Sequence, residues 1–179
     1  MIYVIIGVTL LFIIVPIIGV LPSARQKEQM KMRKSARTAG VSVELTTISD
    51  PNPHQDKYVS PTGKAIAPLL KVVGYRLQRK RARDWRQLPQ VDWCLQKMPD
   101  KNWRWQLGPS DSMNTELIDW LNNAIEALPE DVEQVEEVNY NITVYWHEKT
   151  KGSETTLFDF LKHCADQALH APSEDDAPG

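Results

Sequence analysis

The densest group of charged side chains in the sequence is a basic stretch between residues 76 and 86. Six cationic side chains fall within these 11 residues, beside the aromatic rings of Tyr75 and Trp85. They are Arg76, Arg79, Lys80, Arg81, Arg83 and Arg86. Guanidinium groups bind carboxylates and phosphates through paired hydrogen bonds, and aromatic rings between them can stack on bases. The stretch is therefore predicted to bind an anionic partner.

Several anionic partners fit this stretch: a protein surface, anionic lipid, or the phosphates of a nucleic acid or ribosome. The chain's own C-terminal half is a further match, because residues 106–179 carry three basic and sixteen acidic side chains. Residues 64–105 show the opposite balance, with eleven basic and three acidic ones. We take protein pairing as the leading interpretation and nucleic-acid or ribosome binding as the alternative. On a strand, Arg79, Arg81 and Arg83 would share one face.

No other pattern indicates a reaction. The sequence has no glycine-rich phosphate loop, nucleophile elbow or metal-binding pair of histidines on a helix. A zinc site built from Cys94, Cys164 and a histidine is an alternative, but these residues are scattered and lack zinc-site spacing. The acidic run over residues 130–137 lacks the glycine and oxygen spacing of a calcium loop, and is interpreted as a solvated loop leading into a strand. We predict no enzyme activity, no cofactor and no metal.

The first 22 residues, 1–22, carry no charge and are almost entirely apolar. A helix of this length spans roughly 30 Å, the thickness of a bilayer's hydrocarbon core, so a single transmembrane helix is predicted. Six basic residues follow it: Arg25, Lys27, Lys31, Arg33, Lys34 and Arg37. Because basic flanks stay inside, the expected location is a bacterial inner membrane, crossed once, with the N-terminus outside and the rest cytoplasmic. The lipid bilayer is then one partner.

The rest of the chain is predicted to form an α+β domain with a mainly antiparallel sheet and two amphipathic helices. The expected order is a basic juxtamembrane helix over 23–40, a strand and Pro-rich loop over 41–63, the cytoplasmic domain over 64–169, and a disordered acidic tail over 170–179. Within the domain, strands are predicted over 69–77, 83–88, 91–96, 102–107 and 138–147, the last from clean alternation of apolar and polar residues. Apolar residues at helical spacing predict helices over 113–128 and from Ser153 onward.

The N-terminal quarter resembles the YajC family of preprotein translocase auxiliary subunits. The likeness rests on the apolar span, the polar segment that begins Pro22-Ser23-Ala24-Arg25-Gln26-Lys27-Glu28, the turn Ala39-Gly40 and the strand-like residues 41–48. The family pattern departs at Val41, where an acidic residue is usual, and no Gly-Gly follows the threonines. The resemblance implies an accessory subunit of a protein-translocation complex. The residues by themselves predict a membrane-anchored protein-interaction module whose arginines face a protein partner.

Overall fold

The computed structural model describes residues 1–20, 23–83 and 85–171; for residues 16–20 it describes only the backbone. The chain divides into two compact units, Met1–Lys34 and Ser35–Gly179, and each is described by itself. The predicted disordered tail, 170–179, lies outside the described residues from 172 onward. His170, in contrast, forms an isolated antiparallel bridge with Met113.

The first unit contains helix α1 (Ile2–Val20) and most of α2 (Ala24–Thr38). Among the residues that the structure describes, no helix combines the length and the hydropathy needed to cross a membrane. The predicted transmembrane helix over 1–22 is therefore wrong. The predicted single-pass inner-membrane location, with the N-terminus outside, is wrong for the same reason.

Helix α2 ends in a glycine cap that belongs to the second unit. Gly40 has φ +82°, a conformation in which a side chain would be strained. The amide of Gly40 donates to the Arg37 carbonyl, and the amide of Val41 donates to the Ala36 carbonyl at 2.9 Å. This pair of hydrogen bonds satisfies two of the carbonyls that a helix leaves free at its end. Gly40 thus separates the basic helix from the first strand.

The second unit is an α+β fold around one six-stranded antiparallel sheet. Its strands are β1 (Ser42–Ser49), β2 (Leu69–Gln78), β3 (Trp93–Lys97), β4 (Trp103–Leu107), β5 (Val132–Val138) and β6 (Asn141–Trp146). The order across the sheet is β1-β2-β6-β5-β3-β4, so the last strand in the sequence lies near the middle. The fold class stated from the sequence is wrong because it placed a transmembrane helix before this domain.

Helices α3 (Thr115–Ala124) and α4 (Glu154–Asp166) form the main core against one face of the sheet. The side chain of Asn114 caps α3 by accepting a hydrogen bond from the Glu116 amide. The buried apolar residues on the two helices repeat every three or four positions, as a helix packed on a sheet requires. They are Leu117 and Leu121 on α3, and Leu157, Phe158, Phe160, Leu161 and Cys164 on α4.

The opposite face of the sheet is largely polar and strongly curled. The side-chain amide of Gln96 on β3 donates a hydrogen bond to the Ser49 carbonyl, at the end of β1, at 3.1 Å. Three strands separate β3 from β1 in the sheet. Such a contact requires the sheet to bend toward this face, because adjacent strands lie about 4.8 Å apart. Ile48, Val72 and Tyr145 form a small apolar cluster inside the bend. Leu45 on β1, in contrast, is 71% exposed.

Three of the local predictions are wrong. The alternating run 138–147 is not one strand, because Asn139 and Tyr140 form a two-residue turn between β5 and β6, both with positive φ. The acidic run 130–137 is not a solvated loop, because β5 occupies Val132–Val138. The segment 83–88, predicted as a strand, contains no strand among its described residues.

Asp50 organises the loop that follows β1. Its carboxylate accepts hydrogen bonds from the Tyr58 hydroxyl at 2.5 Å and from the Asn52 amide at 2.8 Å, and it lies 3.0 Å from the Lys57 ammonium. Burial would raise the pKa of Asp50, but these three partners together lower it below its ordinary value. The loop is thus held by a carboxylate that favours the folded state when it is charged.

Candidate partner-binding site

Arg79 is part of the core and is not available to a partner. Strand β2 ends at Gln78, and the Arg79 side chain turns inward, where it is 3% exposed. Its Nε donates to Oε1 of Glu137 at 2.6 Å, and its Nη2 donates to Oε2 of the same carboxylate at 2.8 Å. Sequence analysis placed Arg79 among the partner-facing residues, and the structure corrects this because the guanidinium is fully engaged inside the protein.

The buried pair is satisfied on all sides. Glu137 is 0% exposed and also accepts a hydrogen bond from the Trp93 indole at 2.9 Å. The Nη1 group of Arg79 donates to the Gln167 carbonyl, and Nη2 lies 3.7 Å from the Cys164 sulfur. Burial would lower the pKa of Arg79, but the hydrogen bonds and charge of Glu137 outweigh it and raise this pKa. Arg79 therefore joins the end of β2 to β5 and to the chain after α4.

Arg76 lies on the opposite side of the sheet from Arg79. Its Nη1 is 3.5 Å from the Glu44 carboxylate, and its Nε donates to the Thr143 hydroxyl at 3.2 Å. The side chain is 44% exposed. Since Arg76 points to the curled polar face and pairs within the protein, it does not join the other basic residues.

Beyond Arg79 the chain leaves the sheet and displays its remaining cations to solvent. Lys80, Arg81, Arg83 and Arg86 are all exposed. They do not alternate along a strand, so the predicted single face shared by Arg79, Arg81 and Arg83 does not exist. Among the described residues, no carboxylate lies within ion-pairing distance of these four side chains; Asp84 is outside that description.

Aromatic rings hold two of these arginines in place. The guanidinium of Arg81 lies 4.4 Å from the centre of the Trp85 ring and 5.4 Å from that of Tyr140. The guanidinium of Arg86 lies 5.4 Å from the Trp85 ring. Trp85 and Tyr140 meet edge to face, with ring centres 6.1 Å apart. We call these four residues the arginine–tryptophan surface. The stacking fixes the two guanidiniums without neutralising their charge.

Tyr140 takes part in this surface because of its backbone conformation. It has φ +63°, a left-handed conformation that is uncommon for a bulky residue. Asn139 precedes it at φ +52°, and its amide donates to the Asp92 carboxylate at 3.0 Å. The Tyr140 carbonyl accepts a hydrogen bond from the Arg79 amide at 2.8 Å. The hairpin turn is therefore tied to the start of the basic stretch, and the ring is 8% exposed beneath Arg81.

A groove of about 970 Å³ adjoins the arginine–tryptophan surface. Its walls come from the basic stretch, the start of α3, the β5–β6 turn and the chain after α4. We call it the Lys80 groove; the charged side chains that line it are Arg79, Lys80, Arg81, Glu116 and Asp166. A smaller cavity of about 250 Å³ continues it toward Trp85 and Arg86. Arg81 and Tyr140 line both, so the two spaces form one continuous surface.

The structure gives no sign of a reactive centre in the part of the chain that it describes. No group of three histidine, cysteine or acidic side chains there could hold a metal ion. The two cysteines lie on opposite faces of the sheet. Burial raises the pKa of Cys164 to about 12, and burial together with Glu136 raises that of Cys94 to about 12. Thiols with such pKa values are almost entirely protonated at neutral pH and are poor nucleophiles.

The sequence indicates Lys80, Arg81, Arg83 and Arg86 with Trp85 beside them, but it does not indicate Tyr140, which also holds Arg81. Tyr140 lies 59 residues after Arg81, and nothing in the local pattern connects the two. The Asn-Tyr pair carries no glycine, so the turn that presents the ring was hidden inside an alternating run. In the groove wall after α4, residues 167–169 belong to the predicted domain, whereas His170 and Ala171 fall in the predicted disordered tail.

Comparison with known proteins adds no relative. No family model matches the chain, and neither a curated protein nor a solved structure shows significant similarity to it.

Proposed function

We propose that this protein is an interaction module that binds an acidic segment of a partner protein. The observation that carries the proposal is that Arg81 and Arg86 are held over Trp85 beside an open groove, with no carboxylate partner among the described residues. A fixed guanidinium loses little side-chain entropy when it binds a carboxylate through two hydrogen bonds. Aromatic and arginine side chains are also the types that dominate the energetics of protein interfaces.

The mixed charge of the groove favours a protein partner over a nucleic acid. Glu116 and Asp166 line the same space as Lys80 and Arg81. A nucleic acid carries a negative charge at every nucleotide, whereas a protein segment can place acidic side chains at Arg81 and Arg86 and uncharged or basic ones beside Glu116 and Asp166. The ring of Trp85, moreover, already carries guanidiniums at 4.4 and 5.4 Å, which compete with a base for stacking on it.

The experiment is a binding measurement with a fluorescein-labelled hexaglutamate peptide as the probe. Charge reversal in the double variant Arg81→Glu/Arg86→Glu should weaken binding at least tenfold, because it removes both fixed guanidiniums and adds repulsion. Lys71→Glu/Arg104→Glu is the matched control, since it reverses the same number of charges at exposed positions on β2 and β4 that do not line the groove. Equal loss in the control, or no loss in the double variant, would show that another surface binds the probe.

The partner itself can be sought by co-purification with the full chain in mild detergent, followed by mass spectrometry. A specific partner is one recovered with the wild-type chain and with Lys71→Glu/Arg104→Glu, but lost with Arg81→Glu/Arg86→Glu. The resemblance to the YajC family makes components of a protein-translocation complex the first proteins to look for. That assignment stays a prediction, as does the expectation that the protein is not an enzyme.

Nucleic-acid or ribosome binding is the second candidate, favoured by one observation. Lys80, Arg81, Arg83 and Arg86 expose four cations within seven residues. Four phosphate contacts predict that log K for a single strand falls with log salt at a slope of about −3. Titration of a labelled single-stranded oligonucleotide at several salt concentrations tests this, and negligible binding at low salt would eliminate the candidate.

A further inference from the structure

Strand β1 lies at one edge of the sheet, and among the described residues it pairs only with β2. In such a strand, each residue points its backbone amide and carbonyl to one side, and the next residue points them to the other. The Asp50 amide donates to the Pro68 carbonyl at 2.9 Å, so Asp50 points toward β2. The pairing of β1 with β2 has no register shift, so Val43, Leu45 and Thr47 point their backbone groups away from β2. We call these three residues the β1 edge.

The protein's own contacts set the two ends of the β1 edge. Before it, the Val41 amide donates to the Ala36 carbonyl at 2.9 Å. After it, the Ser49 carbonyl accepts the hydrogen bond from the side-chain amide of Gln96 at 3.1 Å. Within the described ranges, no residue hydrogen-bonds the outward backbone groups between these two points. The unpaired run of amides and carbonyls is therefore centred on Leu45.

An apolar side chain stands at the centre of this edge. Leu45 lies opposite Val73 on β2, and Val73 lies opposite Trp146 on β6. Directly opposite residues share a face of the sheet, so the three side chains form one row across it. Trp146 and Val73 are buried, whereas Leu45 is largely exposed. The row thus ends in an uncovered leucine, which a further strand beside β1 would cover.

β1 has few of the features that keep an edge strand from pairing. Protected edges are short, bulged, charged or interrupted by proline. β4, at the other edge, has five residues, carries Arg104 and pairs with β3 through a register shift. β1 has eight residues, no proline and one charged residue, Glu44, whose carboxylate lies 3.5 Å from Arg76. Of the two edges, β1 is therefore the one suited to accept another strand.

We propose that two copies of the protein pair through their β1 edges, antiparallel, with Leu45 opposite Leu45 of the partner subunit. The occupant is a second copy because the free run is symmetric about Leu45, so an identical antiparallel strand matches it. Val43 pairs with Thr47 of the partner subunit, and each edge satisfies the backbone groups of the other. Glu44 lies opposite Thr46 of the partner subunit, so no like charges meet.

The pairing is isologous, with a two-fold axis normal to the sheet. Such an axis keeps the same face of both sheets on the same side, so Leu45 of each copy extends the apolar row of the other. The interface does not depend on the proposed function, because no residue of β1 lines the Lys80 groove.

The first test is the mass of the full chain in mild detergent, measured by sedimentation over a range of concentrations. Wild type should form a dimer. Leu45→Lys should weaken association by about tenfold or more, because it places two ammonium groups opposite each other. Leu107→Lys is the matched control, since Leu107 is an exposed leucine on the other edge strand, and it should associate as wild type does. A monomeric wild type, or equal association of both variants, would overturn the proposal.

The second test locates the interface by amide hydrogen exchange, read residue by residue. In the wild-type dimer the amides of the β1 edge should exchange slowly, and in Leu45→Lys they should exchange about tenfold faster or more. The amides of Glu44 and Thr46 point to β2, so slow exchange there in both proteins shows that β1 stays folded. Fast exchange of the β1 edge in associated wild type would overturn the proposal, whatever the variant does.

Discussion

Glu137→Gln is expected to destabilise the fold by about 3–5 kcal/mol, because it leaves the Arg79 charge buried without its counter-charge. Both side chains are almost completely buried, at 3% and 0% exposure, and the two form a bidentate pair. The assay is urea unfolding followed by tryptophan fluorescence. With a slope of about 2 kcal/mol per molar urea, the midpoint should fall by roughly 1.5–2.5 M.

The matched control for this substitution is Asp100→Asn. The Arg104–Asp100 pair has the same closest distance, 2.6 Å, but its side chains are 59% and 42% exposed. Solvent screens such a pair, so the expected loss is a small fraction of the loss for Glu137→Gln. The double variant Arg79→Met/Glu137→Gln should lose less unfolding free energy than the sum of the losses of Arg79→Met and Glu137→Gln, because no charge remains buried in it. A loss below about 1 kcal/mol for Glu137→Gln would refute the reasoning.

Three further predictions follow from other sites. The folded state lowers the pKa of Asp50, so the charged carboxylate stabilises the fold fully above the unfolded pKa of about 3.9. This stabilisation is lost as the pH falls through the lower pKa of the folded state. The difference in unfolding free energy between wild type and Asp50→Asn should therefore shrink below about pH 4. Cys164, with a pKa of about 12 and no exposure, should resist a thiol reagent at pH 8 until urea unfolds the protein, and rapid native labelling would contradict its burial. Tyr140→Gly should be more stable than Tyr140→Ala by about 1 kcal/mol in urea unfolding, because both lack the ring and only alanine is strained at φ +63°; equal stabilities would argue against this turn.

The elements with regular apolar spacing could be predicted from the sequence, and β5 could not. Strands β2, β3 and β4 lie within two residues of the predicted boundaries, and α3 and α4 begin near their caps. In β5 the pairing register shifts between Val132 and Gln134, which interrupts the alternation of inward and outward side chains. In addition, the next inward position after Val135 is occupied by the charged residue Glu137. The sequence alone does not distinguish a glutamate that is buried from one that is exposed to solvent. Only its partner Arg79, 58 residues away, explains why it lies inside.

The site was predicted in composition but not in geometry. The sequence indicated a cationic segment with an aromatic neighbour, because residue types and short spacing are local properties. It could not tell which arginine would be buried, since that depends on which one reaches Glu137 when β2 pairs with β6. The groove depends on contacts between residues 112–114 and 169–171, which no spacing along the chain reveals.

The position of β6 in the sheet has a consequence for synthesis on the ribosome. Strand β6 lies between β2 and β5, so its strand pairing joins the β1–β2 pair to the group formed by β3, β4 and β5. Until residues 141–146 have left the exit tunnel, a nascent chain can form only separate pieces with unpaired edges. Assembly of the sheet is therefore expected to wait until β6 has emerged, and nascent chains stalled before residue 141 should be sensitive to protease and bound by chaperones.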